Sequence, residues 1–245
     1  MYKSDLILDL YQILYRYFGP QHWWPARTSF EVMVGAILTQ NTNWGNVEKA
    51  IAKLREAKAL QPETIARMPQ PRLRLLIRSS GFYHQKARRL KALAHFLLNR
   101  YGGINPRLRK QDTDRLRKEL LSLDGIGPET ADSILLYALN RPVFVIDAYT
   151  RRIFSRHRFL PEDSKYDKWQ RLFMDNLPHR SDLFNEYHAL IVKLAKIHCR
   201  RKPLCQGCPL NRMPIGPGRS TPDLARRRRS LAVRTGGPLH AHNRS

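Results

Sequence analysis

Residues 120–152 read LLSLDGIGPETADSILLYALNRPVFVIDAYTRR, and the reading of this stretch decides the fold. Leu120, Leu121 and Leu123 close one helical pattern, and Gly125-Ile126-Gly127 makes a tight turn. Pro128 opens a second helix at the position where a missing N–H costs least. The apolar run Val143–Ile146 then carries Asp147 to the start of a third helix. A Gly-x-Gly turn between helices can aim its N–H groups outward, where they hold a phosphate without reading a base. A Cβ at either glycine would obstruct that approach. Alone, such a turn is often just a connection, and a lone Asp ahead of a helix is ordinarily an N-cap. The two together, with Gly127 20 residues before Asp147, point to chemistry.

Working outward, helical spacing recurs and strict alternation is rare, so almost no strand is expected. Leu6, Leu10, Ile13, Leu14 and Tyr17 share one face of a helix over 4–17, which Gly19-Pro20 ends. Thr28 and Glu31 fit a capping box ahead of an apolar helix over 30–38. Further helices fit 44–57, 62–68, 71–79 and 83–101, the last stopped by Gly102-Gly103. The hairpin helices fit 112–123 and 128–139, and three more fit 147–157, 165–176 and 182–197.

The 245-residue chain is long enough to bury a substantial core. No apolar run approaches the roughly 20 residues of a membrane span, and the N-terminus lacks a signal-peptide pattern, so an intracellular, cytoplasmic protein is expected. The net charge is +24. Residues 211–245 hold eight Arg, no Lys and one Asp, hence +7, which leaves 24 − 7 = +17 on the body. A basic body suits a polyanion, nucleic acid first, although a membrane surface would also serve. Between Arg72 and Lys91 there are seven Lys or Arg and no acid. The tail is rich in Pro, Gly and Arg without period, which predicts disorder over 211–245.

The segment 120–152 resembles the helix-hairpin-helix and Gly/Pro-Asp signature of the endonuclease III superfamily of DNA glycosylases. The likeness runs over about 28–208. It implies an all-α fold of two domains: a six-helix barrel with the hairpin over 28–141, and a second helical domain from 1–27 and 142–210. It also implies a monomer acting on double-stranded DNA with damaged bases. Asp147 takes the catalytic position, where a carboxylate stabilises the positive charge that develops on the sugar. Gln40, in LTQNTNW, matches the residue inserted into the DNA stack. Gly81-Phe82-Tyr83 matches the wedge on the opposite side, so Phe82 and Tyr83 join Gly125, Gly127 and Arg151 as DNA contacts.

Two departures matter. The resemblance places a lysine after the hairpin in members that also cut the strand, where the amine attacks the sugar as a Schiff-base nucleophile. Glu129 stands there in this chain, and a carboxylate cannot form a Schiff base. A monofunctional glycosylase is therefore expected, with Lys193 and Lys196 the amines that could substitute. Cys199-x5-Cys205-x2-Cys208 resembles the superfamily's iron–sulfur loop, which uses four cysteines. Pro214 stands where a fourth would fall. A [4Fe–4S] cluster is thus implied by resemblance but lacks a ligand. Either the cluster is lost, or His198 or a tail histidine such as His240 completes a site, or the tail past Leu210 is not the ancestral one, which the abrupt shift to Arg, Pro and Gly after Asn211 favours. Zinc on three Cys and one His is a weaker option.

Trp23-Trp24-Pro25 and Trp44 after Gln-Asn-Thr resemble the 3-methyladenine DNA glycosylase III branch. An electron-rich pocket of Trp23, Trp24 and Trp44 suits a flipped, positively charged alkylated purine, although tryptophans of this kind are often core. Two alternatives stand beside it. One is an endonuclease III-like lyase on oxidised pyrimidines. The other is a damage-binding module without catalysis.

Overall fold

The computed structural model describes residues 3–24 and 26–211, with the side chains of 3–5 left aside. Among them there is no strand. The helices are α1 (Lys3–Phe18), α2 (Ser29–Leu38), α3 (Trp44–Glu56), α4 (Pro62–Arg67), α5 (Gln70–Leu76), α6 (Tyr83–Tyr101), α7 (Pro106–Lys110), α8 (Thr113–Leu121), α9 (Pro128–Ser133), α10 (Ala148–Arg156), α11 (Tyr166–Met174) and α12 (Ser181–Ile197). The expectation of an unstructured tail falls, Asn211 apart, outside the described residues.

The buried apolar residues gather into two clusters. One joins α2 to α9 through residues such as Met33, Ile37, Leu54, Leu90, Leu97 and Leu135. The other joins α1 to α10–α12 through residues such as Ile7, Leu14, Phe144, Phe154, Trp169 and Tyr187. Ile134–Ala138, the continuation of α9, widens into a π-helical turn. Within it Ile134 and Leu135 face the first cluster while Leu136 faces the second, and Tyr137 packs against both. Such single π turns gather at functional sites, and this one marks the junction of the two cores.

Several local expectations change in detail. Thr28 caps α2 as the sequence predicts, its Oγ1 accepting from the Glu31 N–H at 3.1 Å. Glu31 does not reach back to complete the box: its carboxylate is 2.6 Å from the Arg55 guanidinium. The predicted helix over 71–79 stops at Leu76 and resumes as a 3₁₀ turn, Arg78–Ser80. α7 was not foreseen, because its five residues are too few to show a period.

Candidate active site

Asp147 is the N-cap of α10. Its Oδ1 accepts from the Thr150 N–H at 2.7 Å and the Thr150 hydroxyl at 2.8 Å. Oδ2 is left with His188 Nε2 at 3.5 Å, an electrostatic contact too long for a strong hydrogen bond. Burial by itself raises the carboxyl's proton affinity. The adjacent His188 and the two Thr150 bonds outweigh it, and the group is held below the ordinary carboxylate range. The structure thus preserves the cap and still leaves one ionised oxygen for another partner.

The run that delivers Asp147 is extended without belonging to a sheet. Val143 N–H donates to the Arg141 carbonyl at 2.8 Å, while two donors go to side chains: Phe144 N–H to Met174 Sδ at 3.3 Å and Ile146 N–H to the Tyr166 hydroxyl at 3.2 Å. Asp132 of α9 is wholly buried and bound through both oxygens by Arg117 of α8, at 2.6 and 3.1 Å. Gln170 of α11 bridges Asp132 to the Phe144 carbonyl, each at 2.8 Å. The hairpin and the segment leading to Asp147 are therefore tied by one polar network.

Asp147 opens into a cleft of about 670 Å³ between the two cores. Trp23, Trp24 and Trp44 wall one side. The Trp24 ring lies 5.1 Å from Trp44, edge-on, and 5.1 Å from Tyr137. It packs so closely on α2 that a Cβ at Gly35 would come within 3.1 Å of it. Glu129 lines the same cleft. Its carboxyl is exposed by area but faces a concave wall, and its pKa is pushed up to about 7, first by the protein crowding around it and then by Asp147; His188 and Arg151 pull the other way.

The predicted DNA contacts are distributed unevenly. Gln40 does not project freely. Its Nε2 donates to the Gly125 carbonyl at 3.0 Å and the Thr130 hydroxyl at 2.9 Å, and its Oε1 accepts from Arg89 at 2.5 Å. Gly125 has φ +75°, and a Cβ there would sit 1.9 Å from the Arg89 Nε. A Cβ on Gly127 would meet nothing within 4 Å. Phe82 stands out at 61% exposure in the left-handed conformation, while Tyr83 packs against the first core. Arg151 is spent on the Ser164 carbonyl at 2.7 Å.

Between the two loops that carry Gln40 and Phe82 lies buried Lys86, donating to the Leu38 carbonyl at 2.8 Å and the Ser80 carbonyl at 2.6 Å. Sequence reasoning counted Lys86 and Arg89 only within the basic run from Arg72 to Lys91, and missed Thr130, Tyr137, Thr150 and His188 as site residues. Only Thr150 carried a local signal, at Asp-x-x-Thr. His188 has none, since its distance from Asp147 in sequence has no period to betray it.

The cysteine loop does not fit an iron–sulfur cluster. Such a cluster takes four thiolates, and the chain has three cysteines. Cys199 is buried with its Sγ accepting from Arg156 at 3.3 Å, while Cys205 is exposed. Among the described residues no group of His, Cys, Asp or Glu is placed to hold a metal. His198 has Tyr17 at 3.3 Å on one ring nitrogen and the Leu204 carbonyl at 3.2 Å from the other. His240 lies outside the described residues.

Fold and cleft together define a class, two helical cores around a hairpin-braced acid. The chain belongs to the HhH-GPD superfamily of base excision DNA repair proteins, whose family model matches residues 34–179. It is 49% identical over 209 residues to a provisionally named DNA repair glycosylase of Methanocaldococcus jannaschii, covering 85% of this chain and 95% of that protein. It is 31% identical over 180 residues to endonuclease III of Thermotoga maritima, covering 73% and 79%. Among solved structures it is similar to the 3-methyladenine DNA glycosylase of H. pylori bound to 1,N6-ethenoadenine, with TM-score 0.68, 29% identity and coverage of 80% and 98%. A non-covalent endonuclease III–DNA complex gives TM-score 0.73 at 25% identity, covering 86% and 94%.

Proposed function

We propose that this glycosylase flips an N-alkylated purine of the 3-methyladenine kind from double-stranded DNA, hydrolyses its bond to deoxyribose and stops there. The observation that carries the reading is the pairing of Asp147 with Glu129 in a cleft walled by three tryptophans. Aromatic faces attract a cationic base and have less to offer a neutral oxidised pyrimidine. Glu129 takes the place of the attacking amine. Ionised Asp147 stabilises the positive charge that builds on the sugar. The likeness to a 3-methyladenine glycosylase supports the same reading.

On this reading the hairpin turn at Gly125 and Gly127 meets a phosphate, and Phe82 wedges the duplex. Gln40 exchanges its three hydrogen bonds for contacts in the stack. The barrel over 28–141 and the second domain from 1–27 and 142–210 close on the DNA as one monomer, inside the cell. Among the described residues no helix is long and apolar enough to cross a membrane. The cysteine loop serves as structure, and iron and sulfide analysis of anaerobically purified protein tests that.

Base release from duplexes carrying one 3-methyladenine, thymine glycol, uracil, or adenine opposite 8-oxoguanine tests the substrate. Asp147→Asn is expected to abolish release and keep DNA binding; undiminished release would remove Asp147 from the role, and a wild type that only binds would be a damage-binding module. A second reading has one observation in its favour: Lys196 also lines the cleft. Were it a Schiff-base nucleophile, the chain would be an endonuclease III-like lyase, and borohydride would trap it on damaged DNA. No trapped complex is expected.

A further inference from the structure

His188 sits on α12, far in sequence from the hairpin and the acid, yet it reaches the reacting end of the cleft. It is 6% exposed. Its Nδ1 is 2.5 Å from the Tyr137 hydroxyl in the π-helical turn. Its Nε2 faces Asp147 Oδ2 at 3.5 Å and is buried without a hydrogen-bond partner. A bare lone pair on Nε2 facing a carboxylate oxygen would repel it, so Nε2 carries the N–H. Nδ1 is held by the Tyr137 hydroxyl. Burial, and next the charges of Asp147 and Glu129, keep that phenol protonated by raising its pKa well above the ordinary value.

The ring is therefore clamped at one nitrogen, and its other nitrogen lies beside the one Asp147 oxygen that Thr150 leaves open. Two atoms 3.5 Å apart can each lie about 2.8 Å from a single oxygen placed beside them. A buried histidine serving packing alone would not need an unpaired ring nitrogen beside the acid. A site for one water needs polar partners on converging lines, and this pair supplies a donor and an acceptor.

We propose that His188 and Asp147 together hold the hydrolytic water, His188 Nε2–H donating to its oxygen and Asp147 Oδ2 accepting one of its protons. The inference rests on the glycosylase reading. In the step, the N-glycosidic bond breaks with its electron pair leaving on the base nitrogen, so a cationic alkylated base departs neutral. The water oxygen bonds to C1′ of the sugar, and its proton passes to Asp147 Oδ2 and then to solvent. The sum is one cationic nucleoside and one water giving an abasic sugar, a neutral base and one proton. His188 keeps its own proton throughout; it fixes where the water stands.

The test uses the full chain, single-turnover base release, and methanol as a competing nucleophile, on a duplex carrying one 3-methyladenine or whichever duplex of the four above the wild type processes. Water attack leaves an abasic site and methanol attack leaves its 1′-O-methyl glycoside. His188→Phe is expected to slow release by about 10²-fold, a typical effect of losing one positioned proton-handling group, and to raise the methanol-to-water product ratio. His188→Gln, which restores an N–H near Nε2, is expected to recover most of the rate and the wild-type ratio. Tyr137→Phe leaves His188 in place but frees its far nitrogen, and is expected to shift the ratio in the direction of His188→Phe even if that variant does not fold. Wild-type rates in His188→Phe, or slowed release at an unchanged ratio in both His188→Phe and Tyr137→Phe, would overturn the inference and leave the glycosylase reading standing. No base release by the wild type from any of the four duplexes overturns both.

Discussion

Replacing Lys86 by Met is expected to reveal a charge that the fold keeps at a cost. Lys86 is 1% exposed and bonds to the carbonyls of Leu38 and Ser80, which end the segments before Gln40 and Phe82. Its pKa is lowered from 10.5 to about 8, chiefly by burial and secondarily by Arg89. At about 1.4 kcal/mol per tenfold in proton affinity, holding the ammonium charged below pH 8 costs roughly 3 kcal/mol. Removing the amine leaves two buried carbonyls unpaired, at about 1–3 kcal/mol each. The two effects oppose each other at pH 7, so Lys86→Met is expected to lie between about 1 kcal/mol more stable and about 3 kcal/mol less stable there.

The pH dependence separates them. The unfolded chain keeps the lysine proton up to pH 10.5, whereas the folded chain releases it near pH 8. Between those values the unfolded state binds more protons, so the wild type gains stability as pH rises. Its neutral amine still donates to both carbonyls. The variant has no such gain, and its deficit should widen by roughly 3 kcal/mol from pH 7.5 to pH 10.5. Urea unfolding followed by circular dichroism at several pH values for both proteins measures this. A gap that stays constant or narrows as pH rises would refute the reasoning.

Three other outcomes are expected. Arg117→Met strands the wholly buried Asp132 carboxylate and should cost about 3–5 kcal/mol, most of it recovered by adding Asp132→Asn; thermal melts would show it. Gly125→Ala forces an L residue into φ +75° against Arg89, so its cost of about 1–2 kcal/mol should shrink in an Arg89→Ala background; strict additivity in a double-mutant cycle would contradict the close approach. Duplex binding should weaken steeply with salt, and replacing Arg72, Arg74 or Arg78 by Gln should lower the log–log slope by about one for each that meets a phosphate; an unchanged slope in all three would place the DNA elsewhere.

What the sequence determined is whatever its local rules carry. The helical period gave most helices, glycine and proline placed the hairpin turn, and the Asp147 cap was visible because a cap is a contact between near neighbours. The resemblance of 120–152 to a glycosylase signature added the class and the acid, and the absence of a fourth cysteine could be counted. The rest depends on contacts that no spacing encodes. His188 meets Asp147, Lys86 ties the Gln40 and Phe82 loops, and Arg89 lies over Gly125 only because separate helices pack together. Gln40 shows the limit well. Its sequence marks it as a residue for the DNA stack, but only tertiary structure could reveal that the hairpin and Arg89 already hold it by three hydrogen bonds.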